Sequence, residues 1–205
     1  MATALTPAGD RCGAAAGQGR QALRRELIAK RLALPAGEWS AGSERISAHL
    51  IAGLPQLATM AVAFYWPQQQ EPDLRPLIVR WISDRQAGFS ALLPVVIGDH
   101  QALAFRAWQP DTAMVSDRYG IPTPAAGDFV CPQALLLPVN GFDAAGYRIG
   151  YGGGYFDRTL ALLRPRPLTI AVGFELARLV SINPEPHDQR VDFIVTECGL
   201  FRTAG

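Results

Sequence analysis

Residues 148–158 read Arg148-Ile149-Gly150-Tyr151-Gly152-Gly153-Gly154-Tyr155-Phe156-Asp157-Arg158, with four glycines between two arginines and an acidic helix start. Glycine has no β-carbon, so the backbone can take positive φ and present successive N–H groups to a bound anion. From Tyr155 onward the apolar residues follow a helical pattern, so the loop also delivers the partly positive N-terminus of a helix. A flexible surface turn seldom needs four glycines with flanking arginines and aromatic residues. The segment therefore predicts a phosphate-binding loop.

The spacing of this loop excludes the two common nucleotide motifs. Tyr155 stands where a dinucleotide fingerprint needs a small residue, and the pattern G-x-x-x-x-G-K-[ST] is absent from the sequence. Lys30 is the only lysine in the chain, which argues against a kinase-type lysine and against a pyridoxal-phosphate Schiff base. Arginine must therefore supply the positive charge, as a fixed bidentate clamp on phosphate.

The composition limits the class of partner. The chain has 205 residues, enough for one sizeable domain, and a formal net charge of +1. A general nucleic-acid or membrane-surface binder needs clustered positive charge, so we expect small-molecule substrates, no nucleic acid and no membrane. We also expect a monomer. Cys12, Cys131 and Cys198 are isolated from one another and from the histidines. The sequence thus predicts neither a zinc site nor a disulfide framework.

The N-terminal segment differs in composition from the rest. Residues 1–19 are rich in alanine, glycine and threonine and contain no apolar core of the length found in secretory signals. We expect this segment to be disordered and residues 20–203 to form a single domain. No apolar run in the sequence approaches membrane-spanning length, so the expected location is the cytoplasm. A weak organellar transit peptide is the alternative, but Asp10 and the absence of serine from residues 1–19 count against it.

The rest of the chain alternates between helical patterns and short apolar runs. Helices are predicted over Arg20–Leu34, Glu38–Leu54 and Pro72–Ala87. Strands are predicted over Met60–Trp66, Phe89–Val96, Leu103–Trp108, Ala134–Val139, Leu168–Phe174 and Val191–Thr196. The proline-rich segment Gln109–Pro132 is predicted to be mostly loop, placed as a lid or wall. This alternation predicts a single α/β domain with a mostly parallel central sheet flanked by helices, in which ligands bind beyond the carboxyl ends of the strands.

A run of strand and turn residues precedes the glycine loop and reads Leu135-Leu136-Leu137-Pro138-Val139-Asn140-Gly141-Phe142-Asp143. Together with the loop, it closely resembles the 5-formyltetrahydrofolate cyclo-ligase family, whose members are also called 5,10-methenyltetrahydrofolate synthetases. The resemblance extends over about residues 20–197. Three weaker motifs agree with it: Arg20-x-x-Leu23-Arg24, Tyr65-Trp66-Pro67 followed by Glu71, and Val191-Asp192-Phe193.

The resemblance implies an ATP-dependent cyclisation of 5-formyltetrahydrofolate to 5,10-methenyltetrahydrofolate, with release of ADP and phosphate. It implies that Arg148, Tyr155 and Asp157 are catalytic and that Asp157 and Asp192 hold Mg²⁺. The implied ATP contacts are Arg20, Arg24, Arg148, Ile149, Gly150, Tyr151, Gly152, Gly153, Gly154, Tyr155 and Phe156. The implied folate contacts are Trp66, Glu71, Tyr151, Gly152, Gly153, Gly154 and Tyr155.

Three positions depart from the family pattern. Some members have lysines where this chain has Arg20 and Gly153, which leaves the number of direct charge contacts to the triphosphate open. Phe156 stands where a tyrosine is frequent, which removes a hydroxyl but keeps an aromatic face. We expect activity to survive that change.

Several of these residues also have purely structural interpretations. Arg20 and Arg24 lie one helical turn apart, but Arg25 and Arg31 make the whole helix basic, so a solvated face is an alternative. Trp66 could flank a flat pterin ring or belong to the core.

Glu71 and Asp157 also have alternative, purely structural roles. Glu71 could accept hydrogen bonds from a pterin or cap the helix that follows it, and Asp157 could be a helix-start carboxylate. Two other functions stay open on the residues alone: a non-catalytic nucleotide or folate sensor, and a sugar-phosphate isomerase that uses the loop for one phosphate.

Overall fold

Five parallel strands form the centre of the computed structural model, which describes residues 10–84 and 87–204. The helices are α1 Asp10–Leu32, α2 Ala36–Gly53, α3 Arg75–Ser83 and α4 Tyr155–Leu162. The strands are β1 Ala61–Ala63, β2 Ser90–Val95, β3 Ala104–Ala107, β4 Met114–Ser116, β5 Pro122–Pro124, β6 Ala134–Pro138, β7 Gly141–Asp143, β8 Arg148–Ile149, β9 Leu168–Val172, β10 Arg178–Leu179, β11 Phe193–Thr196 and β12 Gly199–Arg202.

The main sheet has the order β12-β11-β9-β6-β1-β2-β3. Its five inner strands run parallel, and the edge strands β12 and β3 are antiparallel to their neighbours. The predicted α/β fold with a mostly parallel sheet is therefore confirmed. Each of the six predicted strands overlaps a strand of this sheet.

Strand β6 shows why apolar runs form the centre of the sheet. Leu136 packs with α2 and α3 residues such as Ile46 and Ile78, whereas Leu135 and Leu137 pack on the other face with Leu160 of α4. Side chains alternate between the two faces of a strand, so a strand covered on both sides must be apolar throughout. Burying one such leucine stabilises the fold by roughly 1.5–3 kcal/mol.

Two predicted helices have different bounds in the structure. Helix α1 begins at Asp10, ten positions before its predicted start, and ends at Leu32. Helix α3 covers only Arg75–Ser83 of the predicted Pro72–Ala87, because Asp73 accepts a hydrogen bond from the Arg75 N–H and turns the chain there. The predictions for residues 1–9 and 85–86 lie outside the described residues.

A three-stranded sheet of order β10-β7-β8 carries the chain from the main sheet to the glycine loop. Strands β7 and β8 form an antiparallel pair, and β8 ends at Ile149, directly before Gly150. The loop thus starts from a fixed strand and ends on α4. In the described ranges 10–84 and 87–204, every helix is too short or too polar to cross a membrane.

Candidate active site

The glycine loop, residues 150–154, connects β8 to the first turn of α4. Gly152 and Gly154 have φ values of +95° and +64°, which L-residues with side chains rarely adopt. A β-carbon on Gly152 would lie 3.2 Å from the Arg24 guanidinium. Glycine at this position therefore permits both the positive φ and the close approach of Arg24.

One face of α1 turns three arginines towards the site. Positions 20, 24 and 31 recur at helical spacing, whereas Arg25 is exposed. Arg24 Nε donates to the Gly150 carbonyl at 2.6 Å. Burial, and then the charge of Arg20, lower the pKa of Arg24 from its ordinary value. A solvated basic face thus describes Arg25 but not Arg24 or Arg31.

Arg20 is paired with an acidic residue that the sequence did not single out. Its Nη2 lies 2.6 Å from Asp188 Oδ2 and also donates to the Asn183 carbonyl at 2.8 Å. Burial of Asp188 alone would raise the pKa of that carboxyl, but the hydrogen bond from Arg20 and further contacts hold its pKa below the ordinary value. An anion that reached Arg20 would therefore compete with Asp188.

Arg148 is buried and holds α4 in place. Its Nη2 donates to Asp157 Oδ1 at 2.9 Å, and its Nη1 donates to the Gln189 carbonyl. The Gln189 N–H donates to the same Asp157 oxygen at 3.1 Å. Burial lowers the pKa of Arg148, although the charge of Asp157 opposes the shift. Both residues therefore already have partners in the protein.

Asp192 lies at the start of β11, next to the start of β9. Its Oδ2 accepts hydrogen bonds from the Thr169 backbone N–H at 2.8 Å and from the Thr169 hydroxyl at 2.6 Å. The partners of Asp157 are Arg148 and Gln189, so the two aspartates share none of them. Within residues 10–84 and 87–204, no cluster of three or more His, Cys, Asp or Glu is arranged to hold a metal ion.

Glu71 lies beyond the carboxyl end of β1 and is 2 % exposed. The Tyr151 hydroxyl donates to its Oε1 and the Gln68 N–H to its Oε2, both at 2.8 Å. Burial raises the pKa of Glu71, although these hydrogen bonds and the charge of Arg31 oppose the shift. The helix-cap interpretation of Glu71 is wrong, because its carboxylate accepts hydrogen bonds from Gln68 and Tyr151, whereas the Arg75 N–H at the start of α3 donates to Asp73.

Trp66 and Trp108 have different surroundings. Trp108 is buried and packs edge-on against Phe64, with ring centroids 5.4 Å apart. Trp66 is half-buried, lies 6.2 Å from the Trp108 ring, and has the Arg75 guanidinium 5.0 Å from its centroid. Trp108 is therefore a core residue, while Trp66 presents an aromatic face at the edge of the core.

Sequence reasoning missed Tyr119. It lies in the turn between β4 and β5, where Asp117 accepts hydrogen bonds from the N–H groups of Tyr119 and Ile121. The Tyr119 hydroxyl is 2.8 Å from that of Tyr155, at the start of α4. The segment Gln109–Pro132, predicted as a wall, thus contains the β4–β5 hairpin, which contacts Tyr155 at the start of α4, next to the glycine loop. The only sequence signal was its turn residues.

The fold and the site first define a class: an α/β enzyme with a glycine loop and converging arginines beyond the carboxyl ends of parallel strands. The model of the 5-formyltetrahydrofolate cyclo-ligase family matches residues 16–197. The chain therefore belongs to the 5-formyltetrahydrofolate cyclo-ligase family and is a ligase, as the resemblance implied.

Individual relatives agree with the family. A 5-formyltetrahydrofolate cyclo-ligase of Mycoplasma pneumoniae is 27% identical over 185 residues, covering 87% of this chain and 98% of the relative. The one of Haemophilus influenzae is 29% identical over 149 residues, covering 70% and 78%. The solution structure of Aquifex aeolicus 5,10-methenyltetrahydrofolate synthetase matches with a TM-score of 0.78 and 26% identity, covering 91% of this chain and 93% of the other.

Proposed function

We propose that this enzyme couples the cyclisation of 5-formyltetrahydrofolate to 5,10-methenyltetrahydrofolate with the conversion of ATP to ADP and phosphate. The observation that carries the ATP requirement is the glycine loop, in which two left-handed glycines lie between β8 and α4 and Arg24 is fixed on the loop. Such a loop presents backbone N–H groups to phosphate oxygens.

The chemistry explains why a nucleotide is needed. The formyl group on nitrogen 5 is amide-like and a poor electrophile. Transfer of the γ-phosphoryl group to the formyl oxygen makes that oxygen a leaving group. Nitrogen 10 then attacks the formyl carbon and gives up its proton to the departing phosphate or to solvent, the carbon–oxygen bond breaks, and the oxygen leaves with the phosphate. Catalysis of this kind depends on positioning and on stabilising charge on the phosphoryl oxygens.

Different residues of this chain would bind the phosphates, the pterin and the transferring group. The loop N–H groups and Arg24 would bind the phosphates, while Arg148 fixes Asp157 at the start of α4. Glu71 would accept hydrogen bonds from the donor edge of the pterin, and Trp66 would contact its flat face. Tyr155, at the first turn of α4, would contact the transferring group, with its hydroxyl placed by Tyr119.

Asp157 and Asp192 are the proposed ligands of Mg²⁺. Each carboxylate has one oxygen, Oδ2 of Asp157 and Oδ1 of Asp192, to which the described residues give no hydrogen bond, so each retains an oxygen of the type that Mg²⁺ prefers. A bound ion would neutralise charge on the transferring phosphoryl group. Arg148 is ion-paired with Asp157, so the phosphates of ATP would supply further oxygens to the ion.

The rival functions differ in what they consume. A sensor would bind ATP or folate without turnover, and a sugar-phosphate isomerase would act without ATP. Incubating the purified protein with 5-formyltetrahydrofolate, ATP and magnesium while recording methenyl absorbance separates the cyclo-ligase from both rivals, and a protein that neither binds folate nor forms product would favour the isomerase. Absorbance that grows only with ATP present supports the cyclo-ligase, and absence of turnover with retained binding supports the sensor.

A further inference from the structure

The Arg31 guanidinium is a buried cation with uncharged hydrogen-bond partners. The residue is 3% exposed. Its donors reach the Gln69 carbonyl at 2.9 Å, the Val139 carbonyl at 3.4 Å, the Asn140 side-chain oxygen at 2.8 Å and the Tyr151 hydroxyl at 3.0 Å. Burying a charge costs several kcal/mol unless an opposite charge compensates it. A buried arginine with neutral partners therefore needs an explanation.

The compensating charge is Glu71, which Arg31 reaches through one hydroxyl. Tyr151 accepts a hydrogen bond from Arg31 and donates one to Glu71 Oε1 at 2.8 Å. A hydroxyl held between a cation and an anion is polarised by both, which strengthens the two bonds together. We call this chain of contacts the Arg31–Tyr151–Glu71 relay. It joins α1, the glycine loop and the segment after β1.

The relay also joins the two proposed ligand sites. Tyr151 lies between Gly150 and Gly152, whose N–H groups are assigned to phosphate, while its hydroxyl covers the carboxylate assigned to the pterin. A pterin donor that reaches Glu71 Oε1 must displace the Tyr151 hydroxyl, because that carboxylate is enclosed. Tyr151 is flanked on both sides by loop glycines, so any movement of the loop N–H groups onto a phosphate would also move the backbone of Tyr151.

We propose that Arg31 is a positioning residue and that the Arg31–Tyr151–Glu71 relay couples nucleotide binding to folate binding. This inference rests on the proposed function for the assignment of the two ligands. Binding of either ligand changes the position of Tyr151 and so changes the affinity for the other. By thermodynamic linkage, the factor is the same in both directions.

The test uses Tyr151→Phe, which keeps the ring and removes the hydroxyl that joins the relay. Tyr147→Phe is the matched control, because Tyr147 is a half-buried tyrosine at the start of the same strand segment and contacts Arg190 instead. Arg31→Lys is the second variant, since it keeps the charge but loses the planar fork that reaches four acceptors. Circular dichroism checks the fold of each protein.

The readout is the coupling factor from isothermal titration calorimetry. Affinity for 5-formyltetrahydrofolate is measured without and with a saturating non-hydrolysable ATP analogue and magnesium, and then in the reverse order. We expect a factor of about 5 or more in the wild type, which is the lower end of typical coupling. The factor falls towards 1 in Tyr151→Phe and in folded Arg31→Lys, and it is unchanged in Tyr147→Phe.

The outcomes separate this proposal from the one on which it rests. Equal factors in the wild type and Tyr151→Phe, or a wild-type factor of 1, overturn the coupling while leaving both ligand assignments intact. An equal loss in Tyr147→Phe overturns it as well. A wild-type protein that binds neither ligand, alone or in the presence of the other, overturns the proposed function, and the coupling with it.

Discussion

Arg148 Nη2 lies 2.9 Å from Asp157 Oδ1, which joins strand β8, before the glycine loop, to the first turn of the helix after it. Arg148 is buried, whereas Asp157 is partly open to solvent. This pair closes the two ends of the loop onto each other. A change at Asp157 therefore affects the fold of the loop as well as any ion bound there.

We expect Asp157→Asn to lower the free energy of unfolding by about 1–3 kcal/mol, because the Arg148 guanidinium is then buried without its anion. Urea denaturation followed by circular dichroism measures the change. Asp128→Asn is the control, since Asp128 is exposed. Equal stability of Asp157→Asn and the control would mean that the pair contributes nothing to the fold.

A double-mutant cycle tests whether Asp157 and Asp192 hold one Mg²⁺. If both contact the same ion, the loss of kcat/KM in the Asp157→Asn, Asp192→Asn double mutant is far smaller than the sum of the single losses in ΔΔG‡. Asp192 also accepts two hydrogen bonds from Thr169, so additive losses would assign it a structural role instead. Strict additivity, with each single variant nearly fully active at low magnesium, would make both aspartates structural.

Gly152→Val should abolish the rise in melting temperature that magnesium-ATP causes. A β-branched residue is strained at a φ of +95°, and its β-carbon would lie 3.2 Å from the Arg24 guanidinium. Gly37→Val, in an exposed part of α2 with open space around the new β-carbon, should keep the shift. An undiminished ATP shift in a folded Gly152→Val protein would disprove the phosphate-binding role of the loop.

Glu71→Gln should weaken binding of 5-formyltetrahydrofolate much more than binding of ATP. The lost charge-assisted hydrogen bonds are worth about 1.5–3 kcal/mol. Burial raises the pKa of Glu71 in the free protein, so folate affinity should fall as the pH drops through that raised pKa, and Glu71→Gln should remove this dependence. Calorimetric titration of each ligand across the pH range measures both effects, and equal losses for the two ligands would contradict the assignment.

The sequence predicts the local parts of this structure well. The apolar run of β6 and the glycine loop are readable because their backbone needs are met by nearby residues: a strand covered on both faces must be apolar, and positive φ needs glycine. The parallel direction of the central strands also follows from their alternation with helices. The α/β fold and the place of the loop could therefore be predicted.

The partners within the site could not be predicted, because they join distant parts of the chain. Arg31 looked like one more charge on a basic helix, yet Tyr151, its partner, lies 120 positions away. Arg20 meets Asp188 across 168 positions, and Tyr119 meets Tyr155 through a hairpin that was predicted as loop. Charge patterning in one segment carries no information about which carboxylate the folded chain brings to it.

The proposed reaction uses ATP to close the ring of 5-formyltetrahydrofolate. The most direct measurement is methenyl absorbance with purified protein, 5-formyltetrahydrofolate and magnesium, with and without ATP, while ADP is assayed in the same sample. We expect ATP-dependent growth of the absorbance, with one ADP formed per methenyl product. Methenyl formation at the same rate without ATP, or ATP and folate binding with no product at all, would contradict it.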